Sequence, residues 1–249
     1  MEVIAIVNRK GGVGKTATAQ ALGAGLTRKG YKVLYIDLDS QTNLSYGLGA
    51  DLKKASSMDI LTGEAAAKEA IQTTQQGDII PGAETLAGAD QIIDGTGKEY
   101  RLKEALDGLA YDYIIIDTPA QLGTLTVNAL TAADSVIIPV QAEIYSLQGI
   151  GQLNKTIEAV KKYCNPALDI RGILITRYNA RAIISRDMQS NLEDAAAQLN
   201  TKLYRTPIRE CVSIKEAQAQ QQDIYSYAPK SNASKDYADF LEEFMERKA

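Results

Sequence analysis

The chain has 249 residues, a formal net charge of −4, 45% hydrophobic and 23% charged residues, which excludes disordered and collagen-like chains and is ordinary for a globular protein with its own core. It contains no histidine, so Ser-His-Asp and Cys-His catalysis, histidine-ligated zinc and histidine pH switching are all excluded. The cysteines Cys164 and Cys211 form no CxxC pair and are too few for a four-thiolate site; they read as two reduced thiols.

In chain order, Met1–Val7 has no basic region or cleavage signal and reads as a buried strand. No run of 18 apolar residues occurs, so no transmembrane helix is expected. Strands are predicted at Val3–Val7, Val33–Asp37, Asp78–Pro81, Tyr113–Asp117, Ser135–Val140 and Gly172–Thr176, with a short further strand near Leu203–Ile208. Helices are predicted at Lys15–Lys29, Lys98–Leu109, Leu122–Ala132, Leu147–Tyr163 and Arg186–Asn200, and residues 83–97 form the loosest stretch. This alternation predicts an α/β fold: a mostly parallel twisted sheet with helices on both faces.

Between the first strand and the first helix stands Lys10-Gly11-Gly12-Val13-Gly14-Lys15-Thr16. Its glycines let the backbone wrap a phosphate with its N–H groups inward, and the helix N-terminus favours the anion. Lys15 would reach the β- and γ-phosphates, and the Thr16 hydroxyl would face Mg²⁺. Two further strands end in carboxylates. Asp37 and Asp39 follow Val33–Ile36 on the same side of the chain, which alone suits a cap or turn equally well. Asp117 follows Tyr113–Ile116, the pattern of a carboxylate that holds Mg²⁺.

The phosphate loop departs from GxxxxGK[ST], with Arg9 at the first glycine position and an added lysine, Lys10. In this it resembles the ParA/MinD group of P-loop NTPases with a deviant Walker A motif, and among them the small Soj-like ParA ATPases. The segment Asp37–Asn43 resembles that family's first switch, with Ser40 where proline is usual. Asp117–Leu130 resembles the second switch, with Ala120 in place of its second proline.

The resemblance implies an ATPase using ATP and Mg²⁺. It assigns catalytic roles to Lys10, Lys15 and Asp39: Lys10 reaching the phosphates of a second copy in an ATP-dependent homodimer, Asp39 orienting the attacking water. Mg²⁺ is assigned to Thr16, Asp37 and Asp117. The nucleotide is assigned to Gly11, Gly12, Val13, Gly14, Lys15, Thr16 and Ala17, the last standing where a second threonine is common. Base contacts are assigned to Arg177, Asn179, Pro207, Ile208 and Arg209, the proline being displaced relative to the family's usual position. The only NKxD-like stretch, Asn154-Lys155-Thr156-Ile157, lacks the aspartate, which argues against guanine.

Residues 171–215 carry a charge of +4 against −8 for the rest of the chain. That asymmetry suits either solvated surface charge or a basic face for DNA. The resemblance implies non-specific DNA binding by the ATP dimer, here assigned to Arg181, Arg186 and Lys215, since Ser213 replaces the family's usual arginine. It further implies a ParB-like activator, a role in plasmid or chromosome partition, and a cytoplasmic, nucleoid-associated protein. The alternative is a MinD-like or cargo-positioning ATPase acting on a protein or membrane surface. The C-terminal amphipathic pattern Tyr237, Phe240, Leu241, Phe244, Met245 has an acidic polar face, which favours packing on the sheet over membrane binding. A single P-loop ATPase domain over 1–249, without an N-terminal helix-turn-helix domain, is expected. A nitrogenase-type reductase implies cluster cysteines in the second switch, and an amide-forming synthetase an added glutamine-handling domain; neither is recognisable here.

Overall fold

Apolar residues on both sides of a strand demand cover on both sides, and the computed structural model shows how that is met. It describes residues 1–143, 146–179 and 183–246, with side chains excepted at 183–187. The strands are β1 (Glu2–Ile6), β2 (Val33–Asp37), β3 (Gln72–Thr74), β4 (Gly77–Ile80), β5 (Tyr113–Asp117), β6 (Ser135–Gln141) and β7 (Asp169–Thr176). They form a seven-stranded sheet in the order β3-β4-β2-β5-β1-β6-β7. Every pairing is parallel except β3 with β4.

The helices are α1 (Lys15–Arg28), α2 (Asn43–Leu48), α3 (Ser57–Thr62), α4 (Ala67–Ala70), α5 (Ala89–Ile92), α6 (Arg101–Ala105), α7 (Thr124–Ala132), α8 (Ser146–Tyr163), α9 (Ile183–Gln198), α10 (Val212–Ala219), α11 (Ile224–Tyr227) and α12 (Asn232–Met245). The period of two sorts the strand side chains into two cores. Val3, Ala5, Leu34, Ile36, Ile114 and Ile116 pack with residues of α3, α6, α7, α8 and α9. Ile4, Ile6, Tyr35, Ile115, Ile137 and Leu174 pack with α1, α2, α10, α11 and α12. The C-terminal amphipathic segment is therefore a core helix, with Tyr237, Phe240 and Phe244 fully buried.

One expected strand is not regular. The segment near Leu203–Ile208 forms no continuous strand: it makes isolated bridges, Leu203 with Ile173 of β7 and Arg209 with Tyr178 just beyond it, and the amides of Tyr204 and Ile208 donate to the Ile173 and Ile175 carbonyls. Pro207 has no N–H to donate, and the N–H groups of Arg205 and Thr206 turn away from β7 to the carboxylate of Glu243. The predicted helix Lys98–Leu109 is shorter than expected, a tight turn of helix at Lys98–Tyr100 followed by α6. Within the stretch 83–97 lie a short 3₁₀ turn, Glu84–Gly88, and α5.

Candidate active site

The site stands at the C-terminal ends of the parallel strands, where an α/β sheet opens. Beyond β1 the chain turns through Gly12 and Gly14 at φ of 73° and 85°, a left-handed conformation that glycine adopts without cost. Gly14 is also the N-cap of α1 and offers no side-chain acceptor, so the first amides of that helix are left for an anion. They border a cleft of about 820 Å³ lined by Gly11, Gly12, Gly14, Lys15, Thr16 and Ala17 on this side.

Three side chains from elsewhere fix the loop. Asn8 donates from Nδ2 to the Pro139 carbonyl at 2.6 Å and accepts from the Lys10 amide at 2.9 Å. Gln141 Nε2 donates to the Gly12 carbonyl at 3.1 Å. The Thr176 hydroxyl lies 2.7 Å from the Val13 carbonyl and 3.0 Å from that of Val140. The loop is thus tied to the ends of β6 and β7. Sequence reasoning missed all three, since their only local signal is a polar residue at a strand end.

Below the loop sit the carboxylates. Asp37 and Asp117 are register partners on β2 and β5, and both are fully buried. Asp37 is saturated: Oδ1 accepts the Asp39 amide at 3.0 Å, and Oδ2 accepts the amide and hydroxyl of Ser45 at 2.9 and 2.7 Å. The same Ser45 hydroxyl oxygen accepts from the Gly82 amide at 2.8 Å. A β-carbon at Gly82 would come within 3.0 Å of the Asp39 carbonyl and 3.1 Å of the Asp37 carboxyl carbon, so a side chain here would crowd Asp37 and Asp39. Asp117 differs. Its Oδ2 accepts the Thr16 hydroxyl at 2.6 Å, while its Oδ1 is buried without a partner.

Burial, and then the like charge of Asp37, push the Asp117 carboxyl well above the usual carboxylate range; Lys15 and the Thr16 hydrogen bond pull the other way. Burial likewise raises Asp37. Lys15 is itself buried, which lowers its pKa against the opposing pull of Asp117 and Asp39. An oxygen-only donor set with one orphaned carboxylate oxygen beside a hydroxyl fits Mg²⁺, which takes few protein ligands and keeps waters and substrate phosphates. Among the described residues there is no clustered trio of His, Cys, Asp or Glu of the kind that cages a metal with protein alone. Asp39 lines the cleft on the other side of Lys15, its Oδ1 accepting the Gln41 amide at 3.0 Å.

Comparison with known proteins bears on this arrangement. A family model described as an AAA domain matches residues 1–170. The Bacillus subtilis sporulation initiation inhibitor protein Soj is 41% identical, over 97% of each chain. The chromosome partitioning protein ParA of Caulobacter vibrioides is 38% identical, over 99% of this chain and 95% of its own. Among solved structures, the cobyrinic acid a,c-diamide synthase of Mycobacterium smegmatis with bound ADP and magnesium superposes with a TM-score of 0.81 at 35% identity, covering 97% of this chain and 93% of that one. The chain belongs to the ParA/MinD family of P-loop ATPases, on its Soj-like side.

Within this ParA-type chain the expected residues fall into three groups. Gly11, Gly12, Gly14, Lys15, Thr16, Ala17, Asp39, Arg177, Ile208 and Arg209 line one cleft. Val13, Asp37 and Asp117 are buried around it, and Pro207 is half-buried behind its wall. Lys10 and Asn179 do not line it: Asn179 is exposed, and Lys10 forms an ion pair with Glu143 at the outer rim.

The residues proposed for DNA are less gathered. Arg181 and the side chain of Arg186 lie outside the described residues, while Lys215 lines the cleft. Five other cations of the basic segment are paired within the chain. Arg171 meets Glu2 at 2.5 Å, Arg177 meets Glu210 at 2.8 Å, Arg205 meets Glu246 at 2.8 Å, Arg209 meets Asp236 at 2.5 Å and Lys202 meets Glu243 at 4.0 Å. The positive excess in sequence is therefore largely balanced in space, much of it by α12.

Proposed function

We propose that this ParA-type ATPase binds ATP with Mg²⁺, pairs with a second copy when it does so, binds DNA without sequence preference, and drives partition of a plasmid or chromosome with a ParB-like activator in the cytoplasm, on the nucleoid. The observation that supports the chemistry most directly is Asp117, with one oxygen on the Thr16 hydroxyl and the other buried and unpaired beneath the phosphate loop. Thr16 and Asp117 would hold Mg²⁺, which when bound supplies charge to neutralise the β- and γ-phosphate oxygens. The amides of Gly11–Thr16 and the ammonium of Lys15 receive the phosphates. Asp39 accepts a hydrogen bond from the attacking water and so orients it. Asp37 holds the backbone of that first switch through Asp39 and Ser45. Lys10, paired with Glu143 rather than lining its own cleft, would reach the phosphates of a second copy, an arginine-finger role.

Partition is the preferred role because relatives with that name, from Caulobacter vibrioides and Thermus thermophilus, are 38% and 37% identical over nearly the whole chain, against 35% for the Mycobacterium smegmatis synthase. The internal pairing of five cations favours the second reading, a positioning ATPase whose dimer engages a protein surface instead of DNA. A gel shift with duplex DNA of unrelated sequences, run with ATP, ADP or no nucleotide, separates them. The partition reading expects binding with ATP only, falling steeply between about 50 and 200 mM salt with a slope near −0.9 per neutralised phosphate. An ATP dimer verified by light scattering that leaves DNA unshifted at low salt selects the second reading. Lys15→Ala, which removes the main phosphate charge, is expected to abolish ATP binding; binding within about threefold of the unmodified chain contradicts the ATPase chemistry itself.

A further inference from the structure

The cleft wall opposite the phosphate loop is built from a segment that hydrogen-bonds to β7 on either side of Pro207, through the amides of Tyr204 and Ile208. Its amides that do not reach β7 find two carboxylates of α12 instead. Glu243 accepts the Arg205 amide at 2.9 and 3.0 Å and the Thr206 amide at 3.3 Å. Asp236, seven residues earlier and so on the same face of the helix, accepts the Arg209 amide at 3.0 Å. It also takes the Arg209 guanidinium in a fork, Nε to Oδ2 at 2.9 Å and one terminal nitrogen to Oδ1 at 2.5 Å. Asp236 and Glu243 are each 5% exposed, while the Arg209 side chain stays 39% exposed and lines the cleft.

An in-plane fork of this kind uses one edge of the guanidinium and leaves its flat faces free. It also fixes the plane, because a two-point carboxylate contact removes the rotation a single hydrogen bond would allow. A fixed guanidinium face is a stacking surface for a planar aromatic ring, and is more weakly hydrated than an ammonium. We propose that Asp236 is a positioning residue for the base of the bound nucleotide: it holds Arg209 flat against the cleft wall so that a purine ring stacks on it. This rests on the ATPase reading above and extends it to the base. Asp236 hydrogen-bonds Arg209 and, among the described residues, no residue of the phosphate loop.

The test compares a ligand that has a base with one that has none. Calorimetric titrations with ADP and with inorganic pyrophosphate, both with Mg²⁺, are run on the unmodified chain, Asp236→Asn, Asp236→Glu and Arg209→Lys. Asp236→Asn keeps a carbonyl oxygen for the Arg209 amide but loses the charged fork. The expected result is ADP affinity about five- to tenfold lower, the scale of a lost cation–π contact, with pyrophosphate affinity within about twofold of the unmodified chain. Asp236→Glu restores part of the loss, and Arg209→Lys, which has no planar fork, reproduces it. Unchanged ADP affinity in Asp236→Asn and Arg209→Lys overturns the proposal, and so does an equal fall for ADP and pyrophosphate. If Asp236→Asn does not fold, Arg209→Lys decides alone, since it leaves no buried charge stranded. An unmodified chain that binds neither ligand fails the ATPase reading first, an outcome distinct from all of these.

Discussion

Asp37 and Asp117 sit side by side at the ends of neighbouring strands, yet Asp37 has three hydrogen-bond donors and Asp117 has one. The difference divides their work. Asp37 holds a loop, and Asp117 keeps one buried oxygen unpaired, the one proposed above for Mg²⁺.

The first prediction follows from that division. Asp117→Asn removes the charge for Mg²⁺ without disturbing Asp37. Mg²⁺-dependent ATP hydrolysis should fall on the order of 100-fold, while the melting temperature of the nucleotide-free protein holds or rises, because a like charge has left a buried pair. Steady-state phosphate release and a thermal melt check both halves. A normal rate with Mg²⁺ contradicts the assignment.

Lys10 offers a second check. Its ammonium pairs with Glu143 at the rim and not with its own loop. Lys10→Ala should therefore keep ATP binding while losing the ATP-dependent dimer and its turnover. Light scattering with ATP and Mg²⁺ reads the dimer. An unchanged dimer with normal turnover removes the trans role.

Thr176 gives a prediction that no motif suggested. Thr176→Val is nearly isosteric and takes away the hydroxyl beside the Val13 and Val140 carbonyls. The loss in unfolding free energy should be about 1–2 kcal/mol, and ATP affinity should fall about tenfold as the phosphate loop loosens. Urea denaturation and nucleotide titration measure these separately. A stability loss with unaltered ATP affinity makes Thr176 purely structural.

A fourth concerns packing under the site. A β-carbon at Gly23 in α1 would lie 2.3 Å from the Tyr35 ring. In an exposed helix alanine gains about 1 kcal/mol over glycine, but overpacking costs about 1–3 kcal/mol and Tyr35 is fully buried. Gly23→Ala should thus be net destabilising, and the double variant with Tyr35→Leu should recover part of the loss. Stability equal to or above that of the unmodified protein contradicts this packing.

How much of this was legible in the sequence depended on whether the signal was local. The run Ile114–Ile116 ending in Asp117 marks a buried parallel strand with a carboxylate at its open end, because burial on both faces requires continuous apolar residues. The strand β3, Gln72–Thr74, left no such mark: it is polar, half-buried and antiparallel. The phosphate loop was legible because its glycines and lysine are contiguous, whereas its clamps, Gln141 and Thr176, stand 129 and 163 residues away from their partners. The charge of residues 171–215 is only partly legible for the same reason. Arg171 finds Glu2 and Arg209 finds Asp236, and no count within the segment includes those acids.

The interrupted segment beside β7 has a consequence for how copies of the chain meet. An exposed strand edge is a template for strand addition and aggregation. Here one flank of the sheet is covered by a stretch that hydrogen-bonds to β7 without forming a continuous strand and contains Pro207, and the other ends in the three-residue polar strand β3. Both flanks are thus poor templates for a continuous intermolecular sheet, so a second copy is expected to meet this one through surfaces away from the strand edges.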